Sequence, residues 1–265
     1  KNNFRILPNV EGAQIYSSLI LLDMNNDGDL EIAVLVDGRG LFVMDHNGAL
    51  IYNNPESPVP YSLVVGDINN DDKPELIYMV KNSDVLGKLF AIDSYGNLLE
   101  GWPLYIEPLR YYYGYELLIQ PSIGDINGDG YPDIVFSTFD SIIYGVDHKG
   151  KVIFQKDLFN KNLPWSITSG ILIDDIDLDG KTDMLAVSIL GDIYVWDLDA
   201  TYNPSTMDWP MFQHDPQHTG CYDCDKPRDP NKFYIKNSQD QNVAWFGDRG
   251  NIVLKGPCQI KSTCT

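Results

Sequence analysis

The stretch LLDMNNDGDLEIAVLV, Leu21 to Val36, sets a dense acidic turn between two apolar runs. Asp23, Asp27, Asp29 and Glu31 crowd into nine residues although like charges repel. Asp23, Asn25 and Asp27 alternate, Gly28 follows, and Glu31 closes the set. Alternating oxygen side chains on a tight turn can converge on one point, and glycine at the sixth place takes the positive φ such a turn needs. Hard oxygens at positions 1, 3 and 5, with a main-chain carbonyl at 7, are how a calcium loop begins. An EF-hand also needs Glu at position 12. Here that position is Val34, inside an apolar run, and the acid stands at position 9. Sequence of β character flanks the turn on both sides.

The turn returns three times, as DINNDDKPE (Asp67 to Glu75), DINGDGYPD (Asp125 to Asp133) and DIDLDGKTD (Asp175 to Asp183). Acids or Asn fill positions 1, 3, 5 and 9 in all four, at intervals of 44, 58 and 50 residues. A second feature keeps step. Asp45, Asp93, Asp147 and Asp197 end the runs LFVMD, LFAID, IYGVD and IYVWD, and Gly48, Gly96 and Gly150 follow three residues later, with Ala200 the exception. This predicts hairpin turns in which Asp bonds nearby amides and Gly takes the left-handed position. One unit then reads strand, acidic turn, strand, link, strand, hairpin, strand. Four strands in roughly 45–55 residues is the size of a β-propeller blade. The fold class is therefore all-β, a propeller of four-stranded blades of which four are visible.

The loops, written D-x-[DN]-x-D-G-x-x-[DE], resemble FG-GAP repeats, also called VCBS-type repeats. These are the calcium-binding blades of integrin α-subunit propellers and of many secreted microbial proteins. The resemblance spans about residues 4 to 220. It implies Ca²⁺, about four per chain, held by side chains at positions 1, 3, 5 and 9. Those are Asp23, Asn25, Asp27 and Glu31; Asp67, Asn69, Asp71 and Glu75; Asp125, Asn127, Asp129 and Asp133; and Asp175, Asp177, Asp179 and Asp183. The carbonyls of Asp29, Lys73, Tyr131 and Lys181 at position 7 would complete the sets. The second loop departs from the pattern, with Asp72 in place of Gly, although Asp tolerates the left-handed region better than most residues.

Composition fits this reading. The 265-residue chain carries a formal net charge of −19, which argues against a nucleic-acid partner and destabilises a compact state unless offset. Thirteen of the sixteen expected side-chain ligands are acidic, and four Ca²⁺ would bring −19 to −11. No long apolar run is present, so no membrane insertion is expected. The first residues, KNNFRILPN, lack a signal-peptide core. The segment NFRILPN occupies the place of a preceding blade's outer strand, so it could complete the fourth blade and close a small ring. The alternative is a larger propeller of which this chain is the last part.

After the fourth unit comes WPMFQHDPQHTG, Trp209 to Gly220. Its His214 and His218 have helical metal-site spacing, but Pro216 between them argues against a helix and for a structural tail. Residues 221–265 form a second region, in which KFYIKN, NVAWFG and NIVLKG predict a small β-meander. It holds all four cysteines, Cys221, Cys224, Cys258 and Cys264. Two disulfides in an oxidising compartment and a zinc site are both open.

No nucleophile elbow, H-E-x-x-H pair or phosphate loop is present, and no catalytic residues are assigned. The expected role is a non-catalytic adhesion or structural subunit at a microbial cell surface, with other subunits or copies of itself as partners and a fibre as one setting. The alternative is a carbohydrate-binding module of a secreted enzyme such as a polysaccharide lyase, with a glycan as ligand. Tyr105, Tyr111, Tyr112, Tyr113 and Tyr115, in the link between the second and third loops, suit either an interface or core packing.

Overall fold

The computed structural model describes residues 15, 19–55, 59–81, 87–106, 120–138, 141–158, 170–188 and 191–222, and the strand residues 234–236, 242–246 and 252–254. It is all-β, built of antiparallel meanders in which strand order follows chain order. The first blade is β1 (Ile20–Leu22), β2 (Glu31–Val36), β3 (Gly40–Met44) and β4 (Leu50–Asn54). The second is β5 (Val59–Gly66), β6 (Glu75–Lys81), β7 (Gly87–Ile92) and β8 (Leu104–Ile106). The third is β9 (Ser122–Gly124), β10 (Asp133–Ser137), β11 (Ile142–Val146) and β12 (Val152–Asp157). The fourth has three strands among the described residues, β13 (Leu172–Asp174), β14 (Lys181–Val187) and β15 (Ile193–Thr201). The C-terminal meander is β16 (Tyr234–Lys236), β17 (Asn242–Phe246) and β18 (Ile252–Leu254).

The first strands of successive blades lie side by side, with contacts from β1 to β5, β5 to β9 and β9 to β13. This is propeller geometry, and it explains the hydrophobic pattern. Strands such as β10 (DIVFS) and β11 (IIYGV) are buried at every residue because blades cover both faces. The outermost strands meet solvent, and β12 (VIFQKD) is largely exposed. The main core joins blades one to three through residues such as Leu22, Leu41, Tyr78, Met79, Ile123 and Phe136. A second cluster, with Ile126, Val135, Ile173 and Met184, joins blades three and four.

The expected hairpin turns form at three of four places. Asp45 Oδ1 accepts from the amides of Asn47 and Ala49, Asp93 Oδ1 from Tyr95 and Asn97, and Asp147 Oδ1 from Lys149 and Lys151. Gly48, Gly96 and Gly150 take positive φ, as the turn demands. The fourth expectation is corrected. Asp197 lies inside β15, opposite Asp183, and the strand runs unbroken through Ala200. Without a glycine at 200 the chain keeps its extended path, and Ala200 is buried.

The segment after β15 was expected to be a structural tail, and it lies along the axis of the blades. Trp209 exchanges two main-chain hydrogen bonds with Ile123 of β9. The Ile173 amide of β13 donates to Pro210 O, and the Leu21 amide of β1 to Gly220 O. Asp208 meets the end of β5 through Gly66 and the Asp67 amide. One segment thus touches the innermost strand of every blade, with Trp209 fully buried at 0% exposure. His214 contacts Asp215 and His218 the Phe212 carbonyl, both outside a helix.

The N-terminal segment 4–10, Tyr111 to Tyr115, Cys224, Cys258 and Cys264 lie outside the described residues. Cys221 is buried beside Leu21. No helix among the described residues is long and apolar enough to cross a membrane.

Candidate functional site

Each acidic loop joins the first two strands of its blade, so all four sit at equivalent places. Their internal wiring is nearly the same. The position 1 carboxylate accepts the amides of positions 5 and 6 in three loops: Asp23 from Asp27 and Gly28, Asp67 from Asp71 and Asp72, and Asp175 from Asp179 and Gly180. In the third loop Asp125 accepts from Asn127, Gly128 and Gly130. The position 5 carboxylate accepts the position 7 amide throughout, at 2.8 to 3.0 Å: Asp27 from Asp29, Asp71 from Lys73, Asp129 from Tyr131 and Asp179 from Lys181. Positions 4 and 6 carry the positive φ values that curl the loop, at Asn26 and Gly28, Asn70 and Asp72, Gly128 and Gly130, and Leu178 and Gly180. Asp72, the departure from glycine, takes φ 64° and preserves the turn.

Position 9 closes each loop from the first residue of the second strand or close to it. Glu31, Glu75, Asp133 and Asp183 each accept the amide of position 2, from Met24, Ile68, Ile126 and Ile176. All four carboxylates are buried. Burial first, and then the neighbouring loop carboxylates, push Glu31 up to about 7 and Glu75 and Asp133 up to about 8, against the lowering effect of the amides. Burial also raises Asp67. A carboxylate sequestered among other carboxylates is costly as an anion, and either a proton or a bound cation removes the cost.

Two observations test whether these residues fit calcium. In the fourth loop, oxygens of Asp175, Asp177 and Asp183 all lie within 4.8 Å of one another, while Asp179 stays outside that set. In the second loop, Asn69 Oδ1 is buried without a hydrogen-bond partner, while its amide nitrogen donates to Glu75 and Asp71. An orphaned oxygen at position 3 is costly unless something accepts its lone pairs. The donors are oxygens throughout, the ligand chemistry of a hard cation. Among the described residues the fourth loop alone brings three carboxylates together, at positions 1, 3 and 9, where a cation could be held; in the second and third loops the position 3 amide nitrogens donate to the position 9 carboxylates instead.

The structure also brings in residues that the repeat pattern did not single out. The position 7 side chain reaches the turn after the third strand in three blades and the third strand itself, β15, in the fourth. Asp29 lies 3.6 Å from His46. Lys73 sits over the Tyr95 ring at 5.6 Å. Tyr131 stacks on His148 at 4.2 Å. Lys181 pairs with Asp197 at 3.6 Å and Asp199 at 4.0 Å. The near-constant interval between acidic loop and hairpin, 22 residues in three units and 26 in the second, was the signal that could have pointed to these pairs. A further missed group is Asp208, whose Oδ2 accepts from the Tyr222 hydroxyl at 2.6 Å and from the Asp67 amide. It ties the axial segment to position 1 of the second loop.

No family model and no curated protein matches the chain. Among solved structures, it is similar to BBS1N in a mercury-soaked crystal of its complex with ARL6DN, at 9% identity and a TM-score of 0.51 over 72% of this chain and 57% of that one. It is also similar to the Dos1 propeller, at 12% identity and a TM-score of 0.50 over 73% of this chain and 47% of that one. The chain spans less than two thirds of either. At such identities the likeness concerns the fold, and the fold is a β-propeller.

Proposed function

We propose that this chain is a calcium-stabilised propeller of the FG-GAP or VCBS type that serves as a non-catalytic adhesion or structural subunit outside the cell. The carrying observation is the set of four buried position 9 carboxylates, each closing an equivalent loop of oxygen donors. Ca²⁺ supplies the positive charge those carboxylates lack, and fixes loops that would otherwise repel. Asp23, Asp67, Asp125 and Asp175 hold the loop curl through the loop amides, and the position 9 carboxylates supply buried negative charge. The same carboxylates are engaged by loop amides, which supports a binding task for them. Paired C-terminal cysteines would suit an oxidising exterior.

Metal analysis of dialysed protein, beside sedimentation with and without calcium, tests the reading. About four calcium ions per chain and concentration-dependent self-association are expected. A folded chain holding no calcium overturns the metal assignment. A strict monomer that binds a glycan on an array overturns the structural role.

A further inference from the structure

The four loops share one wiring plan but differ at position 4, and that difference decides what passes between blades. Position 4 is Asn26 in the first loop and Asn70 in the second, both at left-handed φ of 57° and 58°. Each projects its amide to the next loop. Asn26 Nδ2 donates to Asp72 O at 2.9 Å, and Asn70 Nδ2 donates to Gly130 O at 2.9 Å. The acceptor is position 6 in both cases, so the same bond is made twice across successive blade boundaries.

The acceptor's place gives the bond its meaning. The peptide between positions 6 and 7 carries the accepting carbonyl at one end and the position 7 amide at the other. That amide donates to the position 5 carboxylate, at 3.0 Å for Lys73 and Asp71 and 2.9 Å for Tyr131 and Asp129. The peptide is therefore held at both ends, by its own loop and by its neighbour's. Its tilt bears on the position 5 carboxylate that accepts from it, which is an expected ligand. The donor side is as tightly bound up with the metal, because position 4 lies between ligand positions 3 and 5. A cation that orders one loop fixes its Asn, and the Asn steadies the position 5 ligand of the next loop.

The series stops at the third loop. Its position 4 is Gly128, which has no side chain and packs against Ala200. In the fourth loop the position is Leu178, which has no amide to donate and is 85% exposed. Between these two loops Thr182 Oγ1 donates to Asp125 O at 3.3 Å, which is main chain at position 1 and not the peptide between positions 6 and 7.

We propose that the first three loops bind their cations cooperatively, linked in series through Asn26 and Asn70, and that the fourth loop binds outside this linkage. The inference rests on the calcium reading above. Site-to-site coupling of this kind is reciprocal, so filling either loop of a pair favours the other. One net hydrogen bond corresponds to about a three- to tenfold change in affinity.

The test is calcium titration calorimetry on the whole chain stripped of metal. Asp129→Asn with Asp133→Asn disables the third loop. In the otherwise native chain this is expected to weaken the first and second sites by about three- to tenfold, and to leave the fourth unchanged. With Asn70→Gly added, the same loss should no longer reach the first two sites. Glycine keeps the left-handed turn, as Gly128 does at the equivalent place. Asn26→Gly is the second variant, expected to uncouple the first site from the second. Circular dichroism confirms that each variant is folded. Independent affinities in the native chain, or coupling that survives both glycine variants, overturns the linkage while leaving calcium binding in place. Heat-silent titration with no bound calcium overturns the calcium reading, and the linkage with it.

Discussion

Stripped of calcium, this protein should become less stable as pH rises across the range in which most proteins are comfortable. Glu75 shows why. Its side chain is fully buried at 0% exposure, and burial, with the charges of Asp71 and Asp67, raises it from 4.5 to about 8. In the unfolded chain the same group ionises near its ordinary value. Between those two values the folded state holds a proton that the unfolded state has released, so stability falls with rising pH. It is fully present below about 4.5 and lost through about 8. Each pH unit in that window costs about 1.4 kcal/mol per group. Moving from about pH 5 to about pH 7 therefore costs on the order of 3 kcal/mol through Glu75 alone. Asp133, raised from 3.8 to about 8 by burial first, contributes a loss of the same sign. That is a large share of the ~5–15 kcal/mol by which domains are stable. Under the proposed calcium reading, the metal takes the proton's place as the carboxylate's partner and should flatten the dependence. Urea unfolding of stripped protein, followed by tryptophan fluorescence from about pH 5 to about pH 8 with and without millimolar calcium, reads the effect. Glu75→Gln should shrink the slope in stripped protein. A stripped protein whose midpoint rises or stays level across the window would refute the reasoning.

Trp209→Ala should cost about 3–5 kcal/mol and lower the melting temperature by roughly 6–20 °C, because the indole is fully enclosed on the axis; differential scanning calorimetry checks this. Gly40→Ala should be far worse than Gly130→Ala, by thermal melts of the pair. Both have positive φ, but a Cβ on Gly40 would lie 1.8 Å from Asn54 O, while one on Gly130 meets nothing within 4 Å. The second substitution should cost only about 1–2 kcal/mol. The four cysteines are expected to form two disulfides, typically worth about 2–4 kcal/mol each. Intact mass before and after alkylation without reductant decides this, and four alkylated thiols or a stoichiometric zinc ion would reject it.

The repeat was legible because it is written in residues that have one use. Asp at positions 1 and 5, glycine or its substitute at 6, and an acid at 9 mark a loop, and apolar runs on either side mark strands buried on both faces. β2 and β10 begin at the position 9 acid itself. What stayed hidden depends on distance along the chain. Nothing in WPMFQHDPQHTG announces a partner, since Trp209 pairs with Ile123 and Gly220 with Leu21 across long separations. Asn26 and Asn70 were visible as doubled asparagines, but their bonds join different blades and required blade packing to be known. Asp197 misled because its run, IYVWD, matches the other three; the absent glycine was the better guide.

The axial segment also has a consequence for the order in which the protein is made. Synthesis runs from the first blade to the fourth, and the residues that bind all four innermost strands come only afterwards. Until Thr206 to Tyr222 leave the ribosome, Ile123 and Leu21 lack the main-chain partners that Trp209 and Gly220 supply. Domains fold as units while the chain grows, yet here each finished blade still lacks its axial neighbour. A chain broken off after β15 would carry every acidic loop and every blade strand described, and would still present the apolar seat of Trp209 to solvent. Its release from the ribosome would be release of an aggregation-prone intermediate, whatever calcium the surroundings hold.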